Sequence, residues 1–488
     1  MAEELREQAG AGAAAASMEL INEEFKPKSE EADRAVKGAV RTLVTQALES
    51  ANIVSGNAVK TIEGIISELD AKLSAQVNEI IHNKDFESLE SAWRGLSYLV
   101  SNTETSESLK IRVLNISKKD LQKTIKKFKG SSWDQSPLFK QIYEDEYGTA
   151  GGEPLGCIVG DYYFNQSAPD IELLKGISAA AHAPFIAAAD PSMMNLDSWQ
   201  DLANPRDLTK IFSTPEYAAW RSFRESDDSR YVALTLPRVL SRSPYGPETN
   251  PVETFSFTED TGNGDSAKYS WMNAAYAMGV NINRSFADYG WCAHIRGVES
   301  GGVVESLPTH CFPTTDGGMA MKCPTEIAIT DRREAELSKN GFLPLCYWKN
   351  TDYAVFLGGQ TVNKPQEYDN PDATANASLS ARLPYIFATS RFAHYLKCIV
   401  RDKIGSFKSC ADMESWLSNW ISNYVTSDPN ASEEVKAKYP LAEAKVVVED
   451  VEGQPGYYQA KFYLRPHYQL EGLTTSLRLT TKVPSGSN

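Results

Sequence analysis

The chain has 488 residues, more than one hydrophobic core usually holds, so two or three domains are expected. Hydrophobic residues make up 42% of it and aromatic residues 10%, which are values typical of a globular protein. The formal net charge of −15 argues against a general nucleic-acid-binding protein, which needs a basic surface.

The cysteine pattern and the N-terminus indicate a compartment. Seven cysteines are scattered along the chain, odd in number and without a CxxC pair, which is typical of reduced thiols in a cytoplasmic protein. The first twenty residues lack the basic start and apolar run of a signal peptide, and no stretch reaches the length of a transmembrane helix. We therefore expect an intracellular protein without direct membrane insertion.

The N-terminal part is predicted to be an arm followed by helices. Residues 1–55 begin rich in Ala and Glu with few large apolar side chains, which predicts a flexible arm. Residues 56–105 are predicted to be helical, with an apolar stripe that serves either a neighbouring core or a partner's helix. The stripe is carried by Ile62, Ile66, Leu69, Leu73 and Val77.

The second predicted helix, FESLESAWRGLSYLV, carries Trp93, which we expect to anchor a core. After it, apolar Leu109, Ile111 and Val113 alternate with basic residues, which predicts a half-buried strand. The lysine-rich segment SKKDLQKTIKKFKG that follows is interpreted as a solvated helix face.

Residues 106–380 are predicted to be a central mixed α/β region. PLGCIVGDYYF and YVALTLPRVL have the composition of buried strands, and LLKGISAAAHAPFIAAA that of a helix followed by a strand. Strand and helix patterns that alternate in this way imply a sheet covered by helices. Asp161 is interpreted as a turn or cap residue, and His182 as a packed histidine.

Two dense clusters of mixed charge lie in the central region. Balanced clusters of this kind suit a salt-bridge network between subunits, although an exposed ion-pair surface of little energetic weight is the alternative. The interface is favoured because aromatic residues flank both clusters. The candidates are Arg221, Arg224, Glu225, Asp227, Asp228, Arg230, Arg332, Arg333 and Glu334.

Residues 381–488 are predicted to be a C-terminal domain with a basic helix. One face of FATSRFAHYLKCIVRDKIGSFK is apolar, and the opposite face is a basic stripe that is either solvated or built to contact something negative. The stripe consists of Arg391, His394, Lys397, Arg401 and Lys408.

Strands are predicted to end the chain. KVVVEDVEGQPGYYQAKFYL has the pattern of two strands around a Gly-Pro-Gly turn. The last strand, LTTSLRLTTKV, presents Leu473, Leu477 and Leu479 at alternating positions. It is either the edge of the chain's own sheet or an arm that joins another subunit's sheet.

No catalytic, cofactor or metal motif emerges. The sequence contains no GxxxxGK[ST], no GxGxxG after a strand, no GxSxG and no HExxH. Cys292 with His294, and His310 with Cys311, lack the spacing of a structural zinc site. We therefore expect a structural part and not an enzyme, without a cofactor or metal; an α/β enzyme with an unrecognised site is the contrasting hypothesis.

Long stretches resemble the large sheath subunit of the bacterial type VI secretion system, the TssC/VipB family. They include PDIELLKGISAAAHAPFIAAADP, WRSFRESDDSRYVALTLPR, YGWCAHIRGVESGGVVESLP, TEIAITDRREAELSKNGFLPLCYWKN and ATANASLSARLPYIFATSRFAHYLKCIVRDKIGSF. Several are long and idiosyncratic, and together they run through most of the chain after the arm.

This resemblance implies a cytoplasmic, mixed α/β contractile-sheath fold whose terminal strands are exchanged between subunits. It implies a heterodimer with the small sheath subunit (TssB/VipA), which polymerises with neighbouring copies around a tube of Hcp, starts from a baseplate and contracts to propel the tube. It also implies disassembly by the AAA+ ATPase ClpV, mainly through the small subunit. A sheath of a related phage-tail-like particle is the alternative. The basic stripe then becomes a candidate for contact with the tube.

Overall fold

The computed structural model describes residues 30–31, 33–39, 42, 58–128, 130–181, 183–204, 207–406, 409–452 and 458–469. Helices and strands are mixed throughout, which confirms the predicted α/β class. The helices are α1 (Ala58–Ile81), α2 (Lys84–Ser101), α3 (Lys118–Lys127), α4 (Pro137–Phe139), a π-helix (Lys140–Gly148), α5 (Ala168–Ala181), α6 (Leu208–Phe212), α7 (Ala218–Arg224), α8 (Ala274–Tyr289), α9 (Asp331–Lys339), α10 (Pro371–Ser380), α11 (Leu383–Lys403), α12 (Cys410–Ser422) and α13 (Glu433–Lys438).

The strands are β1 (Ile158–Phe164), β2 (Phe185–Ala189), β3 (Val232–Leu236), β4 (Val239–Leu240), β5 (Trp271–Met272), β6 (Val303–Val304), β7 (His310–Pro313), β8 (Met319–Lys322), β9 (Leu343–Tyr347), β10 (Ala354–Phe356), β11 (Leu441–Asp450) and β12 (Tyr458–Pro466). Short 3-10 turns join several of these elements.

Two compact units share the chain. The first combines residues 1–95, 239–272 and 307–326, and the second combines residues 96–238, 273–306 and 327–488. The first unit contains α1, the start of α2 and two small antiparallel pairs, β4 with β5 and β7 with β8. Leu240, Tyr269 and Trp271 form its small buried core.

The second unit is built on a six-stranded sheet in the order β1-β2-β3-β9-β10-β6. The first four strands are parallel, and β10 pairs antiparallel with both β9 and β6. Its inner strands are buried along their whole length, as in FIAAA of β2 and VALTL of β3. Buried parallel strands are expected to be continuously apolar, which is why the sequence pattern predicted them correctly.

Helices cover this sheet. Helix α8 is capped at its start by Asn273, whose side chain accepts a hydrogen bond from the backbone N–H of Ala275, and after its end by Gly290 in the left-handed region. The main core lies against the sheet and includes Trp199, Trp220 and Phe342, which are completely buried. Close packing leaves no room at Gly160 in β1, where an added Cβ would lie 2.6 Å from the ring of Phe185.

A second core of this unit joins the C-terminal elements. The apolar face of α11 packs with α12 and with the hairpin of β11 and β12 around Trp291, which stacks on Phe392 at 4.5 Å between ring centroids. Ser409 caps α12 reciprocally with Asp412. The predicted apolar face of the basic helix is confirmed, because Phe392 and Leu396 are buried here.

Three local predictions are wrong. Trp93 is 65% exposed and anchors no core in the described residues. The predicted strand at residues 109–113 forms no ladder with any described residue. Asp161 lies inside β1, where burial raises the pKa of its carboxyl despite side-chain hydrogen bonds with Asn273 and Tyr276, so it caps no turn. His182 and the terminal strand lie outside the described residues.

Candidate assembly surfaces

A buried ionic network fixes the orientation of α2 in the first unit. The Arg242 guanidinium donates to both oxygens of Glu259, at 2.5 and 3.1 Å, and to Glu90 on α2, at 2.6 Å. Glu90 also accepts from Arg94, at 2.7 Å, and Arg94 donates to the hydroxyl of Tyr245. The side chains of Arg242, Glu90 and Glu259 are all at least nine-tenths buried.

The charge states in this network follow from its contacts. Burial raises the pKa of Glu90, but hydrogen bonding and charge attraction from Arg242 and then from Arg94 outweigh it and leave that pKa below the ordinary value. Hydrogen bonds and charge attraction from Glu259 and Glu90 likewise outweigh burial and raise the pKa of Arg242. Glu90 and Arg242 therefore stay ionised at neutral pH. Glu90 and Arg242 are about 150 positions apart in the sequence, so no local sequence pattern could predict this network.

An apolar face of α2 lies beside Glu90, and the described residues leave it exposed. Phe86, Leu89 and Trp93 follow each other at spacings of three and four residues, and all three are exposed, Leu89 by 57%. On the inner side, Ser91 donates to the backbone carbonyl of Trp271 at 2.7 Å. The network and this bond together hold the apolar stripe outward. We call these three residues the α2 stripe.

Helix α1, which carries the predicted pairing residues, is attached to the same unit through polar side chains. Asn78 donates to the carbonyl of Thr258 at 3.3 Å and accepts from the N–H of Asp260 at 2.9 Å. Ser74 donates to the carbonyl of Ser256 at 3.4 Å.

The predicted pairing residues on α1 differ in their exposure. Ile66 is exposed, whereas Leu69, Leu73 and Val77 are half-buried, and the side chain of Ile62 lies outside the described set. The pairing role of these five residues stays a prediction.

The basic face of α11 packs on aromatic rings of the second unit. Phe139, Tyr143 and Tyr147 lie four residues apart on α4 and the π-helix, and their rings contact one another in sequence. Lys397 Nζ lies 3.8 Å from the centroid of Tyr147 and donates to the Tyr143 hydroxyl at 3.0 Å. Arg391 donates to the carbonyl of Pro154 at 3.1 Å.

The expectation of a solvent-facing basic stripe is therefore corrected for part of its residues. His394 is only 2% exposed, and its ring meets Tyr147 edge-on at 5.1 Å. Arg401 is partly buried, with Nη2 3.7 Å from Cys398 Sγ. Lys408 lies outside the described residues. A wheel diagram separates basic from apolar positions, but it cannot show that aromatic rings cover the basic side.

A charge-removing variant tests this packing. We expect Lys397→Met to lower the free energy of unfolding of the second unit by about 1 kcal/mol, because the cation–π contacts and the tyrosine hydrogen bond are lost while the aliphatic stem remains. Urea denaturation followed by tyrosine and tryptophan fluorescence measures the shift.

The matched control is Lys123→Met on α3, where the lysine side chain is 78% exposed. Its unfolding midpoint should stay at that of the unchanged protein, within about 0.5 kcal/mol. Equal midpoints for both variants would mean that Lys397 contributes nothing to stability in its packed position.

Two arginines of the first charged cluster, residues 221–230, form hydrogen bonds within the chain. Arg224 is buried, where it donates to the carbonyls of Val362 at 3.0 Å and Lys339 at 3.1 Å, and burial lowers its pKa to about 10. Arg221 donates to the carbonyls of Phe212 and Thr214, both at 2.7 Å.

Three other members of the clusters are half-buried and have partners within the chain. Arg333 pairs with Glu336 at 2.6 Å, and Glu334 accepts from Ser338 at 2.8 Å. Arg230 pairs weakly with Asp227, at 3.3 Å. The exposed candidates for contact with another subunit are thereby reduced to Glu225, Asp227, Asp228 and Arg332.

The C-terminal hairpin presents strand edges. Strands β11 and β12 pair from Leu441 to Pro466 as a two-stranded sheet, and beyond one isolated bridge between Val425 and Leu441 no described residue extends it. The exchange candidates Leu473, Leu477 and Leu479 follow β12 and lie outside the described residues. A sheet of two strands is marginal alone and accepts further strands readily.

The described residues contain neither a group of metal-binding side chains nor a membrane-spanning helix. Within the described ranges, no three His, Cys, Asp or Glu side chains are grouped to hold a metal ion. His310 instead shares a hydrogen bond of 2.7 Å with the Tyr269 hydroxyl. No helix in the described part of the chain has the length and apolarity required to cross a bilayer.

Comparison with known proteins gives consistent matches. Residues 63–363 match the EvpB/VC_A0108 tail sheath N-terminal domain, and residues 372–483 match the EvpB/VC_A0108 tail sheath gpW/gp25-like domain. The chain is 67% identical over 470 residues to the type VI secretion system sheath protein TssC1 of Pseudomonas aeruginosa, covering 96% of this chain and 94% of that protein.

Solved structures of contractile assemblies are more distant. A chain of the anti-feeding prophage baseplate aligns with a TM-score of 0.35 and 10% identity, covering 64% of this chain and 65% of that chain. A chain of the sheath complex of an extracellular contractile injection system in its contracted state aligns with a TM-score of 0.34 and 9% identity, covering 64% and 68%.

Proposed function

The chain belongs to the EvpB/VC_A0108 tail sheath family as a large sheath subunit of the type VI secretion kind, and we propose that it pairs with a small sheath subunit and polymerises with it around an inner tube. The observation that carries this proposal is the 67% identity across almost the whole of both chains. In this role the protein acts structurally in the bacterial cytoplasm. The polymer starts from a baseplate and surrounds an Hcp tube, and ClpV disassembles it after contraction, mainly through the small subunit.

Pairing with the small subunit is proposed to use the α2 stripe. Three large apolar side chains at helical spacing match the way an amphipathic helix docks its apolar face against another helix. The stripe is held outward by a buried ionic network, so the surface is rigid before the partner arrives. Ile66 on α1 is a further exposed apolar candidate.

Polymerisation is proposed to use the C-terminal hairpin and the arm that follows it. Exposed edges of β11 and β12 can accept a strand from a neighbouring copy, and residues 473–479 can supply one in turn. Backbone pairing of this kind survives a rotation of rigid subunits. Contraction can therefore change how the subunits pack without breaking the strand pairing that links them. The exposed charges Glu225, Asp227, Asp228 and Arg332 are proposed to exchange partners during that change.

Contact with the tube is proposed for the C-terminal end of the basic helix. Arg401 and Lys408 remain its candidates, since Arg391, His394 and Lys397 are engaged inside the second unit. Charged contacts give attraction and register while still permitting release.

Co-expression with a small sheath subunit tests the proposal. Negative-stain electron microscopy should show tubules from the two chains together. Isolated globular particles from a soluble, co-purified pair would contradict the proposal. Tubules formed by this chain alone would instead favour the single-chain sheath of a phage-tail-like particle.

A truncation separates pairing from polymerisation. Deleting the residues after Leu470 should leave co-purification with the small subunit intact while abolishing tubules, because the donated strand is lost and the α2 stripe is untouched. Pull-down and microscopy on the same preparation measure both. Equal loss of pairing would mean that the terminal strand belongs to the subunit's own core.

A further inference from the structure

One segment of the second unit forms few backbone hydrogen bonds with other described residues. Residues 108–115, SLKIRVLN, contain no helix, turn or strand, and Ser108 at the start is the only bend among them. From Lys110 to Asn115, no backbone N–H or C=O forms a hydrogen bond with another described residue. The nearest backbone bonds are at its two ends, where Leu109 accepts from the N–H of Ser106 and Ile116 accepts from the Tyr162 hydroxyl. We call residues 108–115 the open segment.

Side chains nevertheless hold the open segment in place. Ile111 packs against the small core of Leu99, Tyr276 and Val280. Lys110 pairs with Glu153 at 2.5 Å, and Arg112 pairs with Glu153 at 2.9 Å and also with Glu146. Ile111 thus holds the segment on one side, and Lys110 and Arg112 hold it on the other. The backbone N–H and C=O groups from Lys110 to Asn115 have no hydrogen-bond partner among the described residues.

The exposed side chains of the open segment resemble those of a strand edge that lacks protection against pairing. Val113 and Leu114 are exposed, by 66% and 50%. Lys110 and Arg112 would ordinarily protect an edge by their charge, but glutamates neutralise both of them. The sequence has the alternation and β-branched content of a strand, and proline is absent from it. Such an edge is a template for pairing with another chain.

We propose that the open segment accepts a β-strand of the small sheath subunit, so that the heterodimer is joined by a backbone ladder as well as by the α2 stripe. This inference rests on the proposed function. The occupant is the pairing partner and not a neighbouring copy, because the exposed aliphatic side chains of Val113 and Leu114 favour aggregation until a partner covers them. The chain contacts neighbouring copies only in the polymer, whereas it binds the small subunit before polymerisation.

Amide hydrogen exchange on the co-purified heterodimer, kept below the concentration at which tubules form, tests the ladder. Peptides that cover residues 108–116 should exchange about 100-fold more slowly than unpaired amides, at alternate positions, because ladder amides are protected. Free exchange of all these amides in an intact heterodimer would overturn the inference. Protection that appears only in assembled tubules would also overturn it, since the occupant would then be a neighbouring copy.

Proline variants give an independent test. In a strand, consecutive N–H groups point to opposite sides, so only one of Val113→Pro and Leu114→Pro removes a ladder donor. We expect one of the two to reduce the retained small subunit at least 10-fold beyond its matched alanine variant, V113A or L114A. Equal effects of proline and alanine at both positions would mean that side-chain contacts alone join the chains. Loss of co-purification by the unchanged protein would instead refute the heterodimer itself.

Discussion

Replacing Glu259 with alanine is expected to lower the free energy of unfolding of the first unit by about 3–5 kcal/mol. The substitution removes three hydrogen bonds, two from Arg242 and one from the N–H of Tyr245 at 2.8 Å. It leaves a buried guanidinium with only Glu90 to balance it. The unfolding midpoint is measured in urea by the proteolytic susceptibility of residues 239–272, which report on this unit specifically.

The matched control is Glu449→Ala in the C-terminal hairpin. Glu449 pairs with Lys461 at 2.7 Å, but both side chains are about half exposed, so the loss should remain below about 1 kcal/mol. A Glu259 variant that is as stable as the Glu449 variant would show that the network does not hold α2. Loss of small-subunit binding in the Glu259 variant should accompany its loss of stability, since the α2 stripe then has no fixed orientation.

The local sequence pattern was sufficient to predict the strands and the helix face that are buried by other parts of the same chain. Strands β2 and β3 were identified because burial on both faces makes them continuously apolar. The apolar face of α11 was likewise recognised from 3.6-residue periodicity, and Phe392 lies in the core as that face predicts.

The same reasoning failed for side chains that the described residues leave exposed and for side chains that a distant segment covers. Trp93 and Val113 carry the patterns of a core residue and of a strand, yet both are exposed. A periodic apolar face predicts that the face is buried, but it does not identify the segment or chain that buries it. His394 and Lys397 failed for the second reason, because the covering rings come from a segment some 250 residues earlier in the chain. The surfaces where the prediction failed are therefore the ones to test for assembly.

Changing Trp93 to lysine should weaken binding of the small subunit by about 30-fold or more, because tryptophans at the centre of an interface commonly contribute 2 kcal/mol or more. Lysine is a good helix former and lies near Glu90, so α2 itself should persist. Since Trp93 is 65% exposed, the unfolding midpoint should move by no more than about 0.5 kcal/mol. The dissociation constant is measured with purified small subunit, and circular dichroism follows the fold.

A second exposed tryptophan supplies the control. Trp348 is 44% exposed and contacts Tyr353 in the loop between β9 and β10 of the second unit. Trp348→Lys makes the same chemical change outside the proposed surface, so the affinity for the small subunit should stay within about twofold of the unchanged protein. Equal weakening by both substitutions would point to a general effect of added charge. Tight binding by the Trp93 variant would remove α2 from the interface and leave α1, with Ile66, as the remaining helical candidate, because the stripe's most exposed side chain would then contribute nothing to pairing.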